Sequence, residues 1–193
     1  MPVLTAQAVQ TTFKALGLPF QFSDSELSEP STTNVIAGER IFSFPTPAAN
    51  DGLNILNLRR LLGVDPLKPP SFFDHPWYLE ERFGLANCEP GRHNIQMDVH
   101  PQSIEKPVEY ARTLASEGLI LPTAIEVVLM LFLQFVQTGE RLLLKKHTWC
   151  RDEASLGRVV TVGAFGRNGV FISGHPPSFA SRGLGICGKF NQP

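Results

Sequence analysis

A metal or nucleophile site in this 193-residue chain would have to draw on Cys88, His93, His147, Cys150, His175 and Cys187. Two short spacings stand out: Cys88 precedes His93 by five positions, and His147 precedes Cys150 by three. Zinc takes four such ligands in a structural site, or three plus water in a catalytic one. No C-x-x-C occurs in the chain, so the six residues would have to converge from separate segments. The plainer reading makes the cysteines small buried hydrophobes, and neither metal nor cofactor is expected. Cys150 with His175, or Cys187 with His147, supplies the residue types of a thiol nucleophile and its base. Neither pair carries a local signature or a third orienting group. Gly183-Leu184-Gly185-Ile186-Cys187-Gly188 spells G-x-G-x-x-G, but too few residues follow for the helix that would hold a pyrophosphate. A glycine-permitted last strand or turn is expected instead. Arg151-Asp152-Glu153 reads as a solvated turn, and His75 as an ornament of a proline-rich segment.

Composition bounds the class. Hydrophobic residues make up 42% and charged residues 18%, which excludes global disorder. Three cysteines are too few for a disulfide framework, so a reducing compartment is expected. Residues 1–5 lack a basic leader, and the greasiest run is residues 127–133, whereas a membrane span needs about 20 apolar residues. The chain is therefore expected in the cytoplasm, off the membrane. Seventeen Lys and Arg oppose 18 Asp and Glu, for a net charge of −1. The balance is uneven along the chain. Residues 139–193 hold eight basic and three acidic side chains, and residues 1–138 hold nine and fifteen. Either the +5 half is a basic face for phosphate or nucleic acid, or the acidic part packs beside it.

These side chains need elements to position them. Residues 5–16 read as a helix closed by Gly17. Residues 23–50 read as an irregular surface segment, broken only by Ile41-Phe42-Ser43-Phe44. A short helix follows, with Asn50 or Asp51 as cap, Leu53, Leu56 and Arg60 along it and Gly63 at its end. Residues 64–78 carry four prolines and four aromatics, the composition of an irregular clamp laid over a domain. Ile95, Met97 and Val99 alternate as a half-buried strand does. Residues 106–117 read as a helix. Thr123 and Glu126 form a capping box for a second, residues 124–137, apolar almost all round. The rest is β: residues 145–149, an Asn-Gly hairpin joining residues 158–165 to 170–173, and a last strand over residues 184–190. This order predicts an α+β fold with an antiparallel sheet.

Leu121, Pro122, Thr123 and Glu126, then Trp149, a glycine-tipped hairpin and Gly185-Ile186-Cys187, form a wider pattern. It resembles the bacterial C-type-lectin-like domains, whose broad fold is shared by formylglycine-generating enzymes and the variable proteins of diversity-generating retroelements. The resemblance covers residues 91–190. It implies a C-type-lectin-like domain over residues 91–193, with residues 1–90 as a helical and Pro-rich extension packed on it. It also implies that Trp149 packs a large ring against the two helices. The chain departs from the family at Ile120, where Arg is usual, and at Cys150-Arg151, where Ser-Ser is usual. The E-P-N or Q-P-D calcium loop of the sugar-binding members is absent: Glu29-Pro30 and Glu89-Pro90 lack the Asn.

The expected function is a non-enzymatic, calcium-independent binding module. Its surface would gather Trp149, Arg151, Arg167, Asn168, His175 and Arg182, types suited to a protein or to a small anionic or saccharide ligand. A Cys/His or metal enzyme, and a nucleic-acid or phosphate binder using the basic half, are the alternatives. An oligomer fits any of these.

Overall fold

A computed structural model describes residues 3–29, 40–116 and 118–190. Thr5 accepts a hydrogen bond from the Ala8 N–H and caps α1 (Ala6–Ala15). A capping box at Ser23 and Glu26 opens α2 (Asp24–Ser28), inside the segment expected to be irregular. Residues 30–39 of that segment lie outside the described residues, as do the first two positions of the expected leader-free start. The Ile41-Phe42-Ser43-Phe44 interruption is a strand, β1 (Ile41–Thr46), buried along its whole length. It pairs antiparallel with β2 (Gly91–Gln96) from Ile41 opposite Gln96 to Thr46 opposite Gly91. Pro45 is tolerated because β1 is an edge strand, bridged on its outer side, among the described residues, only by Val3 to Ser43.

Asn54, rather than Asn50 or Asp51, caps α3 (Ile55–Leu62), which ends at Gly63 as expected. The helix expected over residues 106–117 is shorter: a 3₁₀ turn at Val108–Tyr110 leads into α4 (Ala111–Ala115). Glu117 lies outside the described residues. β3 (Leu119–Ile120) then runs to α5 (Ala124–Thr138), whose Thr123–Glu126 capping box is present in full. Apolar on nearly every side, α5 is the central helix and packs on β1 and β2 as well as on the C-terminal strands.

Those strands are β4 (His147–Ala154), β5 (Arg158–Gly166) and β6 (Gly169–His175), successive antiparallel neighbours. The β5–β6 hairpin turns at Arg167-Asn168, as the Asn-Gly signal predicts. Gly169 is required there. Its φ is +97°, and a Cβ would strike the backbone of Ser71 to Phe73, where the Pro-rich segment docks. That segment is hydrogen-bonded to β6 through Val170 N–H to Ser71 O and Phe73 N–H to Val170 O, each 2.9 Å.

The chain end differs from one strand. It makes two short ones in different sheets, β7 (Leu184–Gly185) and β8 (Lys189–Phe190). The first sheet has the order β1-β2-β8-β3, the second β6-β5-β4-β7, with β7 parallel to β4. Between them the backbone leaves ladder pairing because side chains take its N–H groups. Ile186 N–H donates to Ser103 Oγ, Cys187 N–H to Thr148 Oγ1 and Gly188 N–H to Gln96 Oε1, at 2.7–2.8 Å.

The molecule is thus α+β with two sheets. The 1–90 segment is more than a cover over the rest: β1 belongs to the first sheet, and one apolar cluster joins Leu4, Phe44 and Leu58 to Val128, Val162 and Cys187. No helix among the described residues is long and apolar enough to cross a membrane.

Candidate functional site

Strand β6 sets three side chains at alternate positions, Phe171, Ser173 and His175, which share one face. β4 begins two strands away with His147, opposite Gly163, whose other neighbour is Phe171. The loop before β7 returns to the same end of the sheet: Phe179 N–H donates to Pro176 O, Leu184 N–H to Ser181 O and His147 N–H to Gly183 O. Gly183 allows this return, since a Cβ would lie 3.0 Å from Lys145 O. Together these segments enclose a cavity of ≈ 200 Å³ lined by His147, Phe171, Ser173, His175, Phe179, Ser181, Gly183 and Leu184.

Its walls are rings. His175 stacks on Phe179 at 4.3 Å with 9° between planes, and stands edge-to-face on Trp149 at 6.2 Å. His147 meets Phe171 edge-to-face at 5.8 Å. Ser173 Oγ lies 3.1 Å from His175 Nε2. Nδ1 of His147 is buried and has no hydrogen-bond partner among the described residues. Burial, with His175 beside it, lowers the His147 pKa to about 4, and burial lowers that of His175 too. Both imidazoles are therefore neutral near pH 7, each offering one donor and one acceptor. The Ser173–His175 distance suits a nucleophile and base, but among the described residues no carboxylate is paired with the His175 ring, and burial alone lowers its pKa.

A second constellation is buried. His93 places Nε2 3.0 Å from Thr46 Oγ1 and 3.9 Å from Cys88 Sγ, and Nδ1 3.2 Å from Glu126 Oε1 without the alignment of a hydrogen bond. This has the order of a nucleophile–His–carboxylate triad. The proton runs the wrong way, however: Thr46 Oγ1 donates to Glu89 O at 2.7 Å, away from the imidazole. Burial would raise the Glu126 pKa. The His93 ring and the Lys189 ammonium, 2.7 Å from Oε1, outweigh it and hold the carboxyl at about 2. Thr46 also borders a ≈ 430 Å³ cavity with Glu26 and Arg92. There Glu26 accepts from Ser23 and Ala48 and Arg92 donates to Leu4 O and Ser43 Oγ, so the carboxylate and guanidinium are tied into the wall, and ring faces are few beside Glu29 and Phe22. We therefore place the candidate site at the ring-lined cavity.

The expected six-residue surface is not one patch. Trp149 is fully buried, its Nε1–H donating to Lys106 O and its ring clustered with Leu114, Leu119 and Leu121, so it lies beneath the site. Arg167 and Asn168 sit at the hairpin tip, at the far end of β6 from His175, about 20 Å or more away. Arg151 is engaged with Glu89. Only His175 lines the cavity, with Arg182 between two lining residues and 93% of its side chain exposed. Ser173, Phe179 and Ser181 were not foreseen, and His147 only as a metal or thiol-base candidate. The Phe171–Ser173–His175 alternation was the readable signal for part of this set.

The six possible metal or thiol residues do not converge either. Among the described residues no group of three or more His, Cys, Asp or Glu is placed to hold a metal ion. Cys88, Cys150 and Cys187 are free and buried, and burial pushes every thiol up, Cys187 to about 12. The charge asymmetry resolves in part into pairing, for five of the eight basic residues of the C-terminal part. Lys146, Arg151, Arg158, Arg182 and Lys189 face Asp98, Glu89, Glu81, Glu105 and Glu126, all carboxylates of residues 1–138.

Fold and site together define an α+β protein with a small ring-lined cavity at one end of its second sheet. Compared with known proteins, the chain matches no family model, no curated protein and no solved structure.

Proposed function

We propose that this chain is a non-enzymatic, calcium-independent binding module that takes a small planar ring into the His147–His175 cavity. The observation that carries the reading is the cavity itself, walled by the rings of His147, Phe171, His175 and Phe179 with the hydroxyls of Ser173 and Ser181 among them. An apolar lining with a few convergent polar groups is the usual make-up of a small-molecule site. Phe179 and His175 supply the stacking faces, while Ser173, Ser181 and His147 orient the ring's polar edge. A cavity of about 150 Å³ is enough for benzene, so this one accepts one ring or a fused pair.

A C-type-lectin-like organisation of residues 91–193 belongs to the same proposal. The complete Thr123–Glu126 capping box and the packing of Trp149 with Leu121 support it. Three unpaired thiols support a reducing, cytoplasmic location.

The test is NMR titration with neutral ring fragments such as indole, benzimidazole and nicotinamide, read at the side chains of His147 and His175. Saturable shifts are expected, and they should vanish when Ser173→Trp fills the cavity. Shifts that persist in the filled variant, or no shift with any fragment, would remove this site.

A further inference from the structure

We infer that the ligand is a nucleotide, its base in the ring-lined cavity and its phosphate at Arg182 and Lys145. This rests on the binding reading above and names the ligand class for that site. Among the described residues, the polar side chains lining the cavity are two imidazoles and two hydroxyls, with no carboxylate, ammonium or guanidinium. A charged ring would lose its hydration there without an opposite charge to replace it. An uncharged ring with a purely apolar edge would strip water from the imidazoles and hydroxyls of the lining without replacing its hydrogen bonds. The complement is a neutral, planar heterocycle bearing both donors and acceptors on its rim, and nucleobase edges are of that kind. Both imidazoles being neutral near pH 7 agrees with this. Bases also stack on Phe and His faces, and the parallel His175–Phe179 pair offers such a platform at the mouth, where Phe179 is 37% exposed.

The rim supplies the other half. Four of the eight basic residues of the C-terminal part are tied closely to carboxylates of the N-terminal part, and two of the others lie beside Gly183. Arg182 lies 3.9 Å from Glu105 with its side chain almost wholly in solvent. Lys145 is exposed, has no carboxylate partner among the described residues, and its carbonyl lies against Gly183. Arg182 adjoins the lining residues Ser181 and Gly183 in the chain and the Lys145 carbonyl lies against Gly183, so these two exposed cations flank that side of the cavity and suit a phosphate by charge and, for Arg182, by a bidentate fork.

Calorimetry and NMR with AMP, GMP, CMP and UMP, their nucleosides, ribose 5-phosphate and single-stranded hexanucleotides test the assignment. At least one monophosphate should shift His147 and His175, and bind several-fold tighter than its nucleoside at low salt. Arg182→Ala, at an exposed position, should bring the two together. Phe179→Ala should weaken both by about ten-fold or more. Ribose 5-phosphate alone should leave the histidines unmoved. A hexanucleotide binding no tighter than its mononucleotide places the source in free nucleotides; one binding far tighter places it in a single strand. If neutral fragments shift the histidines but no nucleotide or hexanucleotide does, the nucleotide assignment fails while the ring pocket stands. If nothing enters the cavity, both fail.

Discussion

Glu126 carries two tasks with one side chain. Its Oε2 accepts the Thr123 N–H at 2.9 Å as the return half of the capping box, and its Oε1 faces Lys189 and His93 inside the molecule. The first task is local and can be read from residues three apart. The second joins β2, α5 and β8, and no spacing in the sequence announces it. The two separate by substitution. Thr123→Ala removes only a cap and should cost about 1 kcal/mol. Glu126→Gln keeps the shape but leaves the Lys189 ammonium, 11% exposed, without its buried counter-charge, and should cost about 3–5 kcal/mol. Urea unfolding measures both, and equal costs would reduce Glu126 to a cap. The acid limb has a defined sign. The folded-state pKa of Glu126, about 2, lies below the ordinary 4.5, so its contribution is complete above pH 4.5 and drains away as pH falls toward 2. The Gln variant should lack that part of the acid loss.

Elements are fixed by local pattern where the pattern is long, and by their neighbours where it is short. The helices at residues 6–15 and 124–138 and the β5–β6 hairpin were legible because caps, apolar period and turn chemistry agree in each. β1 was not: six residues buried on both faces show no alternation, and flanking Ser and Pro suggest a loop. The last strand splits because Ser103, Thr148 and Gln96 capture its N–H groups, contacts about 40 to 90 residues away in sequence. The site was half legible for the same reason. Phe171, Ser173 and His175 share a strand, while Phe179 and His147 arrive by tertiary folding. The Pro-rich segment offers a test at this scale. It reads as a clamp, and its docking on β6 needs Gly169 without a side chain, beside the Trp77 Nε1–H bond to Ile172 O at 2.7 Å. Gly169→Ala combines left-handed backbone strain with a backbone clash and should cost about 2–4 kcal/mol. Trp77 emission should shift to the red as the clamp lifts. An unshifted spectrum at wild-type stability would mean that the segment docks without this contact.

For the whole molecule, the question is whether two sheets make one folding unit. β8 is an inner strand of the first sheet and β7 an edge of the second, with Ile186, Cys187 and Gly188 between them. α5 packs against strands of both, and a single apolar cluster holds Phe42 and Ile95 of one together with Val160 and Ile172 of the other. Such a layout has no seam along which half the core can open while the other half stays dry, so global unfolding should expose both sheets at once. Thr148 is the place to probe this, because its Oγ1 accepts the Cys187 N–H at 2.7 Å. Thr148→Val preserves the shape and strands that buried N–H, at a cost of about 1–3 kcal/mol. Native-state hydrogen exchange then reads the two sheets separately. The slowest amides of β2, in the first sheet, and of β5, in the second, should lose the same exchange free energy, although Thr148 belongs only to the second. A loss confined to β4, β5 and β7 would show two units that merely touch.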